Sequence, residues 1–364
     1  MPLAKTLPVL LAAATLCLAC EAAGDGEASS SPDSSTGSDS STDATVAASS
    51  GVGSASDTSS TSMNTTGGDS FTSGVVTGSS GGEDSTTGNA TSTTGVQTDP
   101  VELEDYVANG PEITLPAPGD DASGVAWNYD SNRIWIVENG AARFHEYAPN
   151  DLETPIRSVQ LGGINGNDTE GIVYLGAGEV AIAFESGYGV YIADVPEGDS
   201  NTTIAVKQTL TLAPPPPVSN NGLEGIAYDP DNSIFYAVGE GQSDGAPRRF
   251  FRFPRPAQTE GDLSWTDRGL SVDEPFDADS ALPGSGGSLD LAGIAFDRRD
   301  GNVLIVSHTG SRVIQLDPSG DGTVLGELEL SPNQWEGIAL VGAENDLFLV
   351  AESNELQRFA LASR

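Results

Sequence analysis

One five-residue phrase recurs five times between residues 123 and 340, and it limits what the chain can fold into more than any other feature. Its copies are Ser123-Gly124-Val125-Ala126-Trp127, Glu170-Gly171-Ile172-Val173-Tyr174, Glu224-Gly225-Ile226-Ala227-Tyr228, Ala292-Gly293-Ile294-Ala295-Phe296 and Glu336-Gly337-Ile338-Ala339-Leu340. Each is a short apolar strand opened by glycine. A turn and a second apolar strand follow every copy, at 134–137, 180–184, 234–238, 303–306 and 347–350. The turns are rich in Asp, Asn and Gly, as in Asp229-Pro230-Asp231-Asn232, so each pair of strands reads as a β-hairpin. No stretch shows a helical period, and the repeat region is expected to be all-β.

The motif glycines at 124, 171, 225, 293 and 337 are separated by 47, 54, 68 and 44 residues. Such spacings suit four-stranded propeller blades. Two blades need about 90 residues, so the 68-residue gap is one blade with an insertion within 241–289. The chain ends soon after a third strand at 356–361, and 112–115, just ahead of the first motif, can supply the missing fourth. The expected fold is a five-bladed β-propeller over residues 106–364, closed by an N-terminal strand. Closure hides edges that would otherwise recruit other chains.

Ahead of the repeats the composition changes. Residues 1–20 carry one positive charge at Lys5 and an apolar run over 7–18, too short to span a bilayer and proportioned like a signal peptide. Leu16-Cys17-Leu18-Ala19 before Cys20 resembles the lipobox of bacterial lipoproteins, with departures at Cys17 and Leu18. Acylation at Cys20 and ordinary signal cleavage near Ala19 or Ala23 both predict export, to the cell envelope or surface. Residues 21–105 are dominated by Ser, Thr, Gly and Asp, with almost no large apolar residues and no Lys or Arg, a composition that cannot offset its ordering entropy by burial. That stretch is expected to be a disordered tether. Both cysteines lie in the leader, so the repeats contain no disulfide. The net charge of −38 argues against nucleic acid and anionic lipid as partners. Membrane contact is expected only through a lipid anchor, and nothing implies an oligomer.

Blade geometry puts the start of each inner strand and the end of each second strand on one face, around one mouth of the channel. The first group supplies Asp168, Glu170, Glu224, Asp290 and Glu336, and the second Glu138, Glu185, Glu240 and Glu352. So many like charges around a narrow opening cannot all stay ionised without a counter-charge. Oxygen-only donors, with no Cys and little His, point to a hard cation, Ca²⁺ ahead of Mg²⁺. Glu170, Glu224 and Glu336 are the expected inner ligands, with the other six as further channel-mouth ligands. The plainer alternative is that these carboxylates cap strand ends and face water.

Other residues invite two explanations each. His145 belongs on a third strand, whereas His308 ends a second strand and is the one imidazole near the acidic mouth. No local motif supports a Ser-His-Asp arrangement, and catalytic residues stay unassigned. Arg248, Arg249, Arg252 and Arg255, interleaved with Phe250, Phe251 and Phe253, form either an alternating strand or a patch for phosphate or an acidic partner. Asp317-Pro318-Ser319-Gly320-Asp321-Gly322 hints at a calcium loop, but position 328 is Leu rather than the closing Glu, which favours a hairpin turn. Trp335 suits either the mouth or the core.

The order and wording of the repeats resemble the SdiA-regulated, YjiK-type family of exported bacterial β-propellers. The telling stretches are Asp168-Thr169-Glu170-Gly171-Ile172, Asn221-Gly222-Leu223-Glu224-Gly225-Ile226, Asp290-Leu291-Ala292-Gly293, and Trp335-Glu336-Gly337 with Ala351-Glu352-Ser353-Asn354. The resemblance implies five blades, a calcium site and a functional face, and a distant likeness to NHL-repeat propellers that bind proteins. Ala292, His308 and Ser353 depart from the family's usual Ser, acid and Pro, which puts the fourth blade's share of a site in question. The expected function is recognition of a small ligand or protein at the cell envelope through a calcium-binding acidic mouth. The alternative is a calcium-dependent hydrolase of phosphate esters or lactones on the same face.

Overall fold

The computed structural model describes residues 102–119, 121–164, 168–215, 221–240, 247–282 and 289–362. The leader, Cys20 and the low-complexity segment to residue 101 lie outside the described residues. Five antiparallel units follow one another along the described chain. The first pairs Ala122–Asn128, Arg133–Glu138, Arg143–Tyr147 and Arg157–Gly162 in order. The second pairs Thr169–Gly176, Glu179–Phe184, Gly189–Asp194 and Thr202–Thr211. The third has Leu223–Asp229, Ile234–Gly239 and Arg249–Pro254, with a single Arg252–Asp273 bridge on its outer edge. The fourth pairs Gly293–Phe296, Val303–Ser307, Arg312–Leu316 and Val324–Glu329. The fifth has Trp335–Val341, Asp346–Ala351 and Glu355–Leu361. Among the described residues, helical elements are limited to the short turns Leu103–Asp105, Asn139–Ala141 and Ala278–Ala281.

Local chemistry sets the hairpins. The Asn128 side-chain oxygen accepts from the backbone N–H of Asp130 and Ser131, and Asp229 does the same for Asp231 and Asn232. Short polar side chains that bond their own backbone two or three residues on are what starts such turns. The second strands of the units are buried on both faces, which is why they read as continuous apolar runs.

Packing then arranges the units in a cycle. The buried apolar residues fall into five clusters, and each is shared by two neighbouring units, the last joining the fifth unit to the first. At the centre the inner strands touch backbone to backbone through the motif glycines. A Cβ on Gly171 would lie 2.8 Å from the Cα of Gly225, and one on Gly337 would lie 2.7 Å from the Cα of Gly124. Gly225 and Gly293 approach their successors in the same way. Only a residue without a side chain permits that approach.

The N-terminal strand closes the fifth unit, as expected, but from further back. Tyr106–Ala108 and Ile113–Thr114 both pair with Glu355–Leu361. Leu103 is only 1% exposed, inside the cluster between the fourth and fifth units. Residues 103–105, expected to lie within the tether, are ordered: Leu103 sits on a 3₁₀ turn and is a core residue. The insertion also has a structural task. Its strand Gly261–Ser264 runs parallel to Thr202–Thr211 and covers the outer edge of the second unit.

The glycine contacts make a sharp prediction. Gly171→Ala and Gly337→Ala should each cost on the order of 3 kcal/mol or more, because backbone cannot yield as a side chain can. Gly320→Ala, with nothing near its Cβ position, should be close to neutral. Urea midpoints of the three variants check this. Equal midpoints would mean the inner strands are not in contact.

Candidate functional site

Four of the five inner strands carry a β-bulge at the residue before the motif glycine. The ladders skip Ser123 between Ala122 and Gly124, Glu224 between Leu223 and Gly225, and Glu336 between Trp335 and Gly337. In the second unit the skip spans Glu170 and Gly171. A bulge bends a strand and re-aims the extra side chain. The bulged residues are brought round one end of the ring, and antiparallel pairing delivers the ends of the second strands to the same place.

There a cavity of about 250 Å³ is lined by Glu170, Glu185, Glu224, Glu240, Asp290, Glu336 and Glu352, with Ser123, Asn139, Ala292, His308 and Gln334 between them. All three expected inner ligands and four of the six further candidates line it. Two candidates do not. Glu138 is held instead by a two-pronged ion pair with Arg143, and its carboxylate also meets His145 Nε2 at 3.3 Å. Asp168 accepts from the Ser186 hydroxyl at 2.8 Å and acts on the cavity only through its charge.

The carboxylates are in very different states. Glu170 is 6% exposed, accepts a 2.6 Å hydrogen bond from the Ser123 hydroxyl and is pushed up to about 8 by burial, with the charges of Glu185, Glu336 and Asp168 adding to the effect. Glu224 is held well above the usual carboxylate range by burial and by Glu170, Glu185, Glu240 and Glu336. Its Oε1 is sealed from solvent and has no hydrogen-bond partner. Burial, then Asp168 and Glu240, raise Glu185 to about 7. Glu336 is also raised by burial, although His308 Nδ1 stands 3.1 Å from its Oε1. That contact raises the imidazole in turn, and Asp290 lies 3.7 Å from the same nitrogen.

His308, singled out as the one imidazole near the mouth, lines the cavity, and sequence reasoning passed over Ser123, Asn139 and Gln334. Ser123 was findable, since it holds the place that Glu occupies in three other copies. Gln334 donates to Glu352 at 2.5 Å, a pairing with no local signal. The remaining ambiguous residues resolve toward structure. Trp335 is fully buried, with its indole N–H on the Ser331 carbonyl. His145 is buried against Ser158, and desolvation lowers its pKa. The four arginines of the third unit pair with Asp279, Glu274, Asp273 and Glu179, so no free cationic patch is left there. Asp317 bonds the Ser319 N–H in a tight turn.

The donor chemistry suits a hard cation: seven carboxyl groups crowd the cavity against a single imidazole, and one carboxylate oxygen is orphaned in the interior. Among the described residues no three His, Cys, Asp or Glu side chains stand close enough together to grip a metal ion at once. The acids form a loose ring around the cavity rather than a closed cage.

Residues 100–360 match the model of the family described as SdiA-regulated. The chain belongs to that family. Its cyclic array of antiparallel units is a β-propeller. No curated protein matches it in sequence. Among solved structures similar to this SdiA-regulated chain is a glutaminyl cyclase from Myxococcus xanthus, at 14% identity and a TM-score of 0.45, covering 71% of this chain and 98% of that one. Another is a calcium-binding regucalcin from Agrobacterium tumefaciens, at 13% identity and a TM-score of 0.42, covering 71% and 95%. A β-propeller domain from Myceliophteria thermophila is similar at 11% identity and a TM-score of 0.37, covering 66% and 83%.

The buried acids dictate how stability should respond to pH. An acid whose folded pKa exceeds its unfolded value binds more protons when folded, so stability falls as pH rises through that interval. For Glu170 the interval runs from the ordinary 4.5 to about 8, and for Glu185 to about 7. His308 acts in the same direction, because its ion pair with Glu336 is lost above its raised pKa. The protein in EDTA should therefore melt highest near pH 5 and progressively lower toward pH 8. Glu170→Gln should flatten that decline in a series of melting curves, whereas an unchanged slope would place the carboxyl in water.

Proposed function

We propose that the five units are the blades of a five-bladed propeller that is exported, anchored at the cell envelope through an acylated Cys20, and held off the membrane by the disordered acidic tether. Its acidic mouth binds calcium and recognises a small ligand or a protein. The observation that carries this is the orphaned, buried oxygen of Glu224 amid four other glutamates, with the His308 imidazole as the one basic group among the residues lining the cavity. Such an arrangement is costly unless a counter-ion enters. Glu170, Glu224 and Glu336 would be the inner donors, drawing in from the loose ring as the ion enters, with Glu185, Glu240, Asp290 and Glu352 as further donors. A bound calcium supplies two positive charges and open positions for oxygen atoms of a ligand. Ser123 holds Glu170 in place by its hydrogen bond, and Gln334 does the same for Glu352.

Calcium at a hundred times its dissociation constant should stabilise the native state by about 2.7 kcal/mol. At roughly 2–4 °C per kcal/mol for a domain of this size, that is a rise of about 5–11 °C in melting temperature. Glu224→Gln and Glu336→Gln should each remove most of the rise while leaving the circular dichroism spectrum intact. No shift at millimolar Ca²⁺, with no metal found on elemental analysis of the purified chain, would refute the calcium reading.

The hydrolase alternative has one observation in its favour: His308 sits at the mouth with two carboxylates against its Nδ1 and can carry a proton. Calcium-dependent turnover of a phosphoester or lactone panel that is abolished by His308→Gln would establish it. Calcium binding without turnover leaves recognition as the function.

A further inference from the structure

The channel has a second chamber beyond the glycines. It has a volume of about 260 Å³ and shares no lining residue with the acidic cavity. Most of its lining residues follow a motif glycine by one to three positions, with Tyr129, Pro230, Arg298 and Asn345 from the turns beyond, whereas Glu170, Glu224, Asp290 and Glu336 precede one, so the two chambers lie at opposite ends of the same five strands. We propose that this chamber is a binding site for a small, neutral, planar molecule, a heteroaromatic or phenolic ring with hydrogen-bonding atoms on its edge.

Size is the first argument. An apolar cavity of about 150 Å³ already binds benzene, and one of this volume has room for a fused or substituted ring. The second is shape and surface. Trp127, Tyr174, Tyr228 and Phe296 collar the opening, and the Tyr129 ring, 36% exposed, lies edge-on to Trp127 at 6.2 Å and to Tyr174 at 4.9 Å. Aromatic faces and edges arranged in this way favour a flat ring between them. The third is unmet hydrogen bonding. Each inner strand is the last in its sheet, so one edge of its backbone has no strand partner. The indole N–H of Trp127, a lining residue, is packed away without an acceptor and would gain one if the ring turned toward the chamber. Groups of this kind require a partner from water or from a ligand. Charge completes the case for a neutral molecule: Arg298, the one cation in the lining, is already paired with Asp231 at 3.0 Å. With a net charge of −38 on the chain, an anion would find no free counter-charge there.

The test uses N-phenyl-1-naphthylamine, a neutral aromatic amine that fluoresces only in apolar surroundings, titrated into the full chain. The expected result is saturable binding of one probe per chain. Tyr129→Ala, which removes a partly exposed ring, and Trp127→Phe, which removes the indole donor, should each weaken it by about tenfold. Gly320→Ala and Leu325→Ala, at an open turn and an exposed strand position outside both cavities, should leave it unchanged. A crystal soaked in 2-naphthol needs no variant and should show the ring between Trp127 and Phe296. Unsaturable fluorescence, equal affinity in all four variants, or a soaked chamber holding only water would overturn the proposal.

Discussion

Backbone-to-backbone contact at the five motif glycines is the constraint on which the rest of the molecule depends. Five inner strands can close a tight ring only where no Cβ intervenes, and the Gly171–Gly225 and Gly337–Gly124 contacts leave no room for one. Once those contacts form, each unit is pressed against two neighbours, and the five apolar clusters between them are sealed. Burial of those clusters supplies the driving force, and the glycines decide the geometry in which it is realised.

The same ring divides the channel into two unlike chambers. On one side, bulges turn Glu170, Glu224 and Glu336 inward, and the fold accepts buried carboxyls without enough positive charge to neutralise them. On the other, Ala and branched aliphatics are followed by an aromatic collar. A scaffold that tolerates such electrostatic cost at one mouth while keeping every second strand apolar is organised around that mouth. The Arg-rich strand of the third unit shows the contrast. There each guanidinium has a carboxylate partner, three of them from the insertion, and the outcome is structure rather than a site.

Much of this was legible in the chain. The Gly-Ile-Ala repeats, their Asp/Asn turns and the N-terminal closing strand depend on local propensity and period, which side-chain identity reports directly. Seven of the nine acids expected at the mouth line its cavity. Glu138 and Asp168 do not, because Arg143 and Ser186 hold them elsewhere, and partners five and eighteen residues away leave no signature in a repeat. Leu103 was assigned to the tether for a similar reason: its neighbours are polar, and only the distant groove between the fourth and fifth units makes it a core residue.

The sequence by itself determined that the chain is a set of five hairpin-built, all-β units, with acids before the glycines and apolar residues after them, because covalent order and two-residue alternation carry that information. The tertiary structure alone decided that Glu170, Glu224, Glu336 and His308 share one cavity, which of them accept hydrogen bonds and which is left without one. Residues more than a hundred positions apart meet only after the ring has closed. The energies that shift their pKa values, desolvation and the repulsion of neighbouring charges, do not exist until it does.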